Sequence, residues 1–495
     1  MTRIPASCAA LVALACLCGG CGAPRVERAA EIERFRAESQ ARVAVLAADP
    51  AKPLTLADCE ALAVKNNLAY RTRLLEARLT DEQVRLAMTG WLPRAELQCM
   101  RTARDNDPLV QVGGGPATAF EDQRVSRFGL HVLIPIFDFG TTYFAYQMAQ
   151  DQRAQAQLAV MRARQTLLRE TRVRYTRYAA ELRQTELWQT AVKAALELLK
   201  VAQSMEREGL GAPADTAQVE ALLAQAGRQL LLAQADAQEK RLLLLQTLSL
   251  PARTDFHIDQ TLPALPPLPN LLQLAQLEDH ALRARPELHV QDLARHIAAT
   301  NVRREISGFF PRLDGIANFD WSSLSQQVNP AYVTYGLSVA HSLLESGSRF
   351  FRFRQARKNE TVERERALLL AQAVLYEVDL NALQLARAHS DMLASQKVVS
   401  AQEVVLKQIE SRFREGLETG AEAARAVAAV HAAMLDLDRA RTDYLAAWHE
   451  LQAAALPDEA PPGEAAPAQG PAEPPGDRHK SDSPAAPSPP AENRE

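Results

Sequence analysis

Between residues 313 and 322 of this 495-residue chain, Leu313, Gly315, Ala317, Phe319 and Trp321 alternate with Asp314, Ile316, Asn318, Asp320 and Ser322. That two-residue period predicts a strand with most polar groups on one face. Val333, Tyr335, Leu337 and Val339 alternate likewise with Thr334, Gly336, Ser338 and Ala340, an apolar face backed by small or polar residues. Lipid on one side and water on the other demand such a pattern. Elsewhere the period lengthens. Neither glycine nor proline occurs from Thr142 to Glu208 or from Ser348 to Glu415, so each stretch predicts one unbroken helix of ~100 Å. Val192, Leu196 and Leu199, and Val398, Val405, Ile409 and Phe413, recur at the spacings of a coiled-coil seam. Shorter helices are predicted from Thr55 to about Gly90, from Ala214 to Leu250 and from Ala421 to Leu456. The first has a capping-box start at Thr55-Leu-Ala-Asp and a stop at Trp91-Leu92-Pro93.

The pattern is written twice. Arg207, Glu208, Gly209 and Leu210 reappear 207 positions later as Arg414, Glu415, Gly416 and Leu417, and Gly129 and Gly140 fall on Gly336 and Gly347 in the same register. Earlier landmarks drift slightly, Pro93 to Pro311 and Leu62 to Leu282, as loop insertions would cause. The chain divides into a leader at 1–20, an N-terminal segment at 21–54, repeats at 55–250 and 271–456, a Pro-rich linker at 251–270 and a Pro/Ala-rich tail at 457–495. The tail lacks periodic apolar residues, and we expect it to be disordered. The segment from Arg25 to Ala48 is charged and helix-compatible, suited to a strap.

Composition narrows the class. Aromatics at 5% and charged residues at 23% suit long helices more than a packed enzyme core. A formal net charge of −4 argues against nucleic acid as a partner. Arg3 followed by the apolar run Ile4–Leu17 reads as a secretion signal, too short to span a bilayer. Gly19-Gly20-Cys21-Gly22 fits a bacterial lipoprotein cleavage site, with Cys21 lipidated; ordinary secretion with Cys21 unmodified is the alternative. Gly22, in place of an inner-membrane retention aspartate, points to the outer membrane. Cys59 and Cys99 then remain, in a predicted helix and a predicted strand, and we expect inert thiols rather than a disulfide. The mature chain has no uncharged apolar run long enough for a transmembrane helix, so a membrane-spanning part must be a closed β-barrel. Four strands cannot close one alone, which requires oligomerisation.

Read in order, the duplication, Ala61-Leu62 to Leu68, Ala281-Leu282-Arg-Ala-Arg-Pro-Glu-Leu288, the Trp-Leu-Pro and Phe-Phe-Pro-Arg-Leu stretches and Pro135-Ile-Phe-Asp-Phe-Gly140 resemble the TolC family of outer-membrane efflux proteins over about Thr55 to Leu456. The resemblance implies a mainly α fold with a transmembrane β-barrel portion. A homotrimer would share one twelve-stranded barrel, four strands per chain, on a long coiled-coil periplasmic tunnel. The implied function is passive export from an inner-membrane transporter through a periplasmic adaptor (membrane fusion) protein. The partners are thus a second and third copy, the adaptor, the transporter and outer-membrane lipid.

Under the same resemblance, Arg207, Glu208, Gly209 and Leu210 with Arg414, Glu415, Gly416 and Leu417 are tunnel-end hinges that meet the adaptor; a plain interhelical turn is the alternative. Asp215 and Glu422, six positions after each glycine, match acids that narrow the tunnel mouth in some members. Three carboxylates in a ring would favour cations. Both acids would also suit a helix first turn, the plainer account of Asp215. Ala423-Ala424-Arg425 departs from the family pattern and offers Glu422 a cationic partner. No catalytic set is legible, and neither a cofactor nor a metal is expected: His289 and His296 lack completing ligands, and Gly113–Gly115 precedes a strand rather than a helix. A secreted helical scaffold or adhesin is the competing reading.

Overall fold

A computed structural model describes residues 27–44, 53–106, 109–110, 118–119, 122–209, 211–261, 265–268, 274–325, 327–341, 346–415 and 417–455. Helix α1 spans Arg28–Ala44. Repeat 1 then runs α2 (Leu56–Asn66), α3 (Leu68–Met88), β1 (Arg94–Ala103), β2 (Leu109–Val110), β3 (Thr118–Ala119), β4 (Arg124–Phe137), α4 (Thr141–Arg207) and α5 (Pro213–Thr247). Repeat 2 runs α6 (Leu274–Ala284), α7 (Pro286–Ser307), β5 (Arg312–Ser322), β6 (Ala331–Ala340), α8 (Ser346–Arg414) and α9 (Gly420–Ala455).

The two expected rods are present: α4 has 67 residues and α8 has 69. With no proline, and no glycine beyond Gly347 in the first turn of α8, nothing interrupts the hydrogen-bond ladder before the hinges. The predicted helix from Thr55 to Gly90 is two helices. Thr55 caps α2 through the expected box with Asp58, but Asn67 leaves the helical region (φ −62, ψ 120) and ends it. The Asn67 side chain accepts from the Tyr70 N–H at 2.8 Å, starting α3, and donates to the Thr247 carbonyl at 2.8 Å. An asparagine that satisfies helix termini on both sides makes a corner preferable to a continuous helix. Repeat 2 turns the same corner with extended Arg285 and Pro286 at the start of α7.

Side-by-side packing places the helices in the order α3, α4, α7, α8 near the sheet and α5, α4, α9, α8 towards the hinges. The short helices thus extend one another along the two rods. Apolar clusters fill the midsection: Cys59, Ala63, Tyr175, Tyr178, Leu244 and Leu248 in repeat 1, and Val374, Val378, Leu385, Leu437, Tyr444 and Leu451 in repeat 2. The linker is held to this core. Leu54 pairs with Ile258, and the Tyr175 and Tyr444 hydroxyls donate to the Asp259 and Pro266 carbonyls at 2.8 and 2.7 Å.

Strands β1, β4, β5 and β6 form one antiparallel sheet in that order, so β4 and β5 join the repeats and β1 and β6 are its edges. Directly opposed residues share a face. Glu96, His131, Asn318 and Thr334 form one cross-strand row, and Gln98, Gly129, Asp320 and Tyr332 another. The other face carries Leu97, Leu130, Phe319 and Val333, then Ala95, Val132, Ala317 and Tyr335. In these four rows the alternation read from β5 and β6 extends across all four strands, with one mainly polar face and one apolar face; towards the β1–β4 loop the apolar face gives way to Arg101, Ser126 and Arg124. Val333, Tyr335, Leu337 and Val339 are all more than 60% exposed, a face left uncovered among the described residues.

One described helix, α8, contains an 18-residue stretch of mean hydropathy 1.2 that could cross a membrane by length and composition. Its exposed apolar residues include Val362, Leu369, Tyr376 and Leu383, seven apart. Glu377 in the same stretch binds buried Arg285 at 2.6 Å. A heptad stripe and an internal ion pair are features of a helix packed on other helices rather than of one immersed in lipid.

Candidate functional site at the hinges and the sheet

At the end distant from the sheet, each rod reverses into its shorter partner. In repeat 1 the chain turns at Gly209, whose φ of +73 lies in the left-handed region that favours glycine. Its N–H donates to the Glu206 carbonyl at 3.1 Å, and the Gly211 N–H to that of Met205 at 3.1 Å, capping α4. Pro213 stands in the first turn of α5. In repeat 2 the Leu417 N–H donates to the Arg412 carbonyl at 2.9 Å, and Thr419 caps α9 by accepting from the Glu422 N–H at 3.2 Å.

Arg207 and Glu208 are exposed. Each is turned back on α4: Arg207 donates to the Gln203 carbonyl at 3.1 Å, and Glu208 accepts from Ser204 at 3.2 Å. Glu415 and Leu417 are exposed, and Arg414 is the last residue of α8. Leu210, Gly416 and Cys21 lie outside the described residues.

The two candidate acids are held differently. Asp215 lies between the hinges: a methyl at Gly420 would stand 3.7 Å from the Asp215 Cβ. Asp215 lines a cavity of about 630 Å³ with Met205, Ala212, Phe413, Glu415 and Glu418. Below it, Ala202, Val219 and Ala424 pack against Leu198, Leu199 and Leu222, locking the hinges together. Glu422 forms an ion pair with Arg425 of its own helix, at the surface. The cation that breaks the family pattern thus neutralises the repeat-2 acid from one helical turn away.

Several polar contacts at this end carried no sequence signal. Thr216 donates to Glu206 at 2.5 Å across the repeat-1 turn, and Arg412 pairs with Glu418 at 3.2 Å across the repeat-2 turn. The spacings of 10 and 6 residues belong to no helical period, and only the reversal of the chain makes them neighbours.

At the sheet end, His131 Nε2 lies 3.8 Å from Asp320 Oδ1 on the polar face, with Gly129 leaving room for the imidazole. His289 and His296 are engaged separately, with the Arg283 carbonyl at 2.8 Å and with Asp151 at 2.6 Å. Among the described residues no cluster could hold a metal ion. No disulfide joins Cys59, which is buried, to Cys99, which is exposed.

Long paired helices beneath a sheet with one apolar face define the architecture of an outer-membrane channel, and comparison with solved structures agrees. The chain is similar to the outer membrane protein VceC of Vibrio cholerae, with 14% identity, a TM-score of 0.69 and coverage of 81% of this chain and 95% of that one. It is similar to the CmeC outer membrane channel of Campylobacter jejuni, with 13% identity, a TM-score of 0.69 and coverage of 81% and 85%. The open-state MtrE channel of Neisseria gonorrhoeae gives 16%, 0.65, and coverage of 81% and 88%. No curated protein matches by sequence. The profile of the outer membrane efflux protein family matches residues 61–249 and 277–455, once per repeat, and the chain belongs to that family. It is an outer-membrane channel for export.

Proposed function

We propose that three copies of this chain close one twelve-stranded barrel and one helical tunnel, forming the outer-membrane conduit of a tripartite exporter. The open edges of the chain carry this reading. Strands β1 and β6 are each paired on one side only among the described residues. The helices beneath those edges, α3 and α8, carry exposed apolar stripes at coiled-coil spacings: Leu68, Leu75, Leu79 and Leu86 on one, in steps of seven, four and seven, and Val362, Leu369, Tyr376 and Leu383 on the other, in steps of seven. A sheet edge and a coiled-coil seam left open on the same two flanks call for the same partner, another copy.

The hinges form the tunnel's far end and receive a periplasmic adaptor, which couples the conduit to an inner-membrane transporter. Lipidated Cys21 tethers the chain to the membrane that the barrel spans. The channel supplies no energy; contact at the hinges shifts its opening equilibrium. The decisive measurement is the native mass of the full-length protein extracted from membranes, with palmitate labelling of wild type and Cys21→Ser compared. A detergent-bound trimer labelled only when Cys21 is present agrees with the proposal. A soluble, unlabelled monomer would overturn it and leave a helical scaffold.

A further inference from the structure

We propose that the first turns of α8 form a binding surface for anionic phospholipid headgroups, at the rim where the barrel meets the tunnel. The inference rests on the barrel reading. Within residues 346–358, α8 carries Arg349, Arg352, Arg354, Arg357 and Lys358 and no acid. Cations at a helix N-terminus oppose the macrodipole, so the helix gains nothing from them.

The duplication supplies an internal control. In the 207-residue register Phe350, Phe351 and Phe353 fall on Tyr143, Phe144 and Tyr146, so both repeats keep three aromatics at the helix start. In the same register Arg352, Arg354, Arg357 and Lys358 fall on Ala145, Gln147, Gln150 and Asp151. The fold therefore requires the rings and not the charges. Among the described residues, none of these four cations has a carboxylate within ion-pair distance; Arg352 donates to the Ser348 hydroxyl at 3.2 Å. Arg354 and Arg357 stand over the Phe350 and Phe353 rings, 5.8 and 5.2 Å from the centroids, with all four cations exposed.

The patch is continuous with the apolar face of the sheet. Phe353 meets Phe309 at 6.4 Å; the adjacent Phe310 stacks on Phe139 at 4.7 Å, and Phe139 meets Phe137 at 4.7 Å. Phe137 pairs with Leu313 on that face. Rings at the edge of a lipid-facing surface, with cations just beyond, match the boundary between acyl chains and phosphates. Lipid phosphate is the anion such a position offers.

The test compares association of spin-labelled phosphatidylglycerol and phosphatidylcholine with the full-length protein in phosphatidylcholine vesicles. Wild type should prefer phosphatidylglycerol by about fivefold or more, the factor one cation near an anionic surface supplies. R352Q/R354Q/R357Q/K358Q should bring the ratio close to unity while the trimer persists in detergent. A variant with lysine at the three arginine positions should retain the preference. Equal association of both lipids with inserted wild type would overturn the inference and leave the barrel intact. A Gln variant that dissociates in detergent without lipid would also overturn it, by showing that the cations serve a second copy. A wild type that enters no vesicle would overturn the barrel reading itself.

Discussion

Arg285, 1% exposed at the corner before α7, donates from Nη1 to the Glu377 carboxylate of α8 across 2.6 Å. Its Nε donates to the Ala454 carbonyl at 2.7 Å, so one guanidinium joins α7, α8 and the end of α9. Arg285→Ala should destabilise the protein by about 3 kcal/mol, because breaking a buried pair strands its partners. Thermal unfolding of the assembled protein checks this, and Glu377→Gln should cost less because Glu377 is partly exposed.

The same pair sets an acid limit. Burial pushes the Glu377 carboxyl up, but its hydrogen bond to Arg285 and the charges of Arg285, Arg162 and Arg169 outweigh burial and hold it below the ordinary 4.5. A lowered carboxylate stabilises the fold above its ordinary range and loses that contribution as pH falls through the lowered value. The acid side of the stability profile should therefore flatten in Glu377→Gln, measured by unfolding across pH 3–5.

Glu422 is neutralised locally by Arg425. In the proposed trimer, with Glu422 placed at the tunnel mouth, Arg425→Ala should release three carboxylates and raise cation over anion permeability about twofold in planar bilayers. Glu422→Gln should shift the preference the opposite way by leaving Arg425 uncompensated. Unchanged reversal potentials in both variants would remove Glu422 from the conduction path.

Burial, with the nearby charges of Asp58 and Glu60, pushes the Cys59 thiol from 9.0 up to about 12. The folded protein should resist thiol reagents at Cys59 until it unfolds, and its stability should decline as pH rises above the ordinary thiol value, where only the unfolded chain ionises. Cys99 and Gln98 report on the faces of β1. In bilayers a charged maleimide should label Gln98→Cys and spare Cys99, since adjacent strand residues face opposite sides.

Gly209→Ala should cost about 1 kcal/mol despite open space around the new methyl, because the penalty lies in the positive φ. Hydrogen exchange at the ends of α4 and α5 would register it as local fraying, with the midsection unchanged.

The period-two alternation of β5 and β6, the glycine-free and proline-free rods and the duplicated Arg-Glu-Gly-Leu hinges were legible in the sequence, because each depends on local geometry. The corner at Asn67 was not: its side chain serves two helices and the Thr247 carbonyl 180 residues away. Nor was the difference between Asp215 and Glu422, which occupy equivalent positions. Asp215 lies beside Gly420 and lines a cavity with Phe413 of the other hinge, while Glu422 pairs with Arg425 on its own helix. Arg285 likewise lies in a charged stretch that gives no hint of burial. The sequence by itself determined the elements and their repetition, since backbone period, glycine tolerance and helix continuity act over a few residues. Only the tertiary structure decided which charges are buried, paired or left facing outward, because those outcomes depend on contacts between segments that the chain brings together only when both repeats fold side by side.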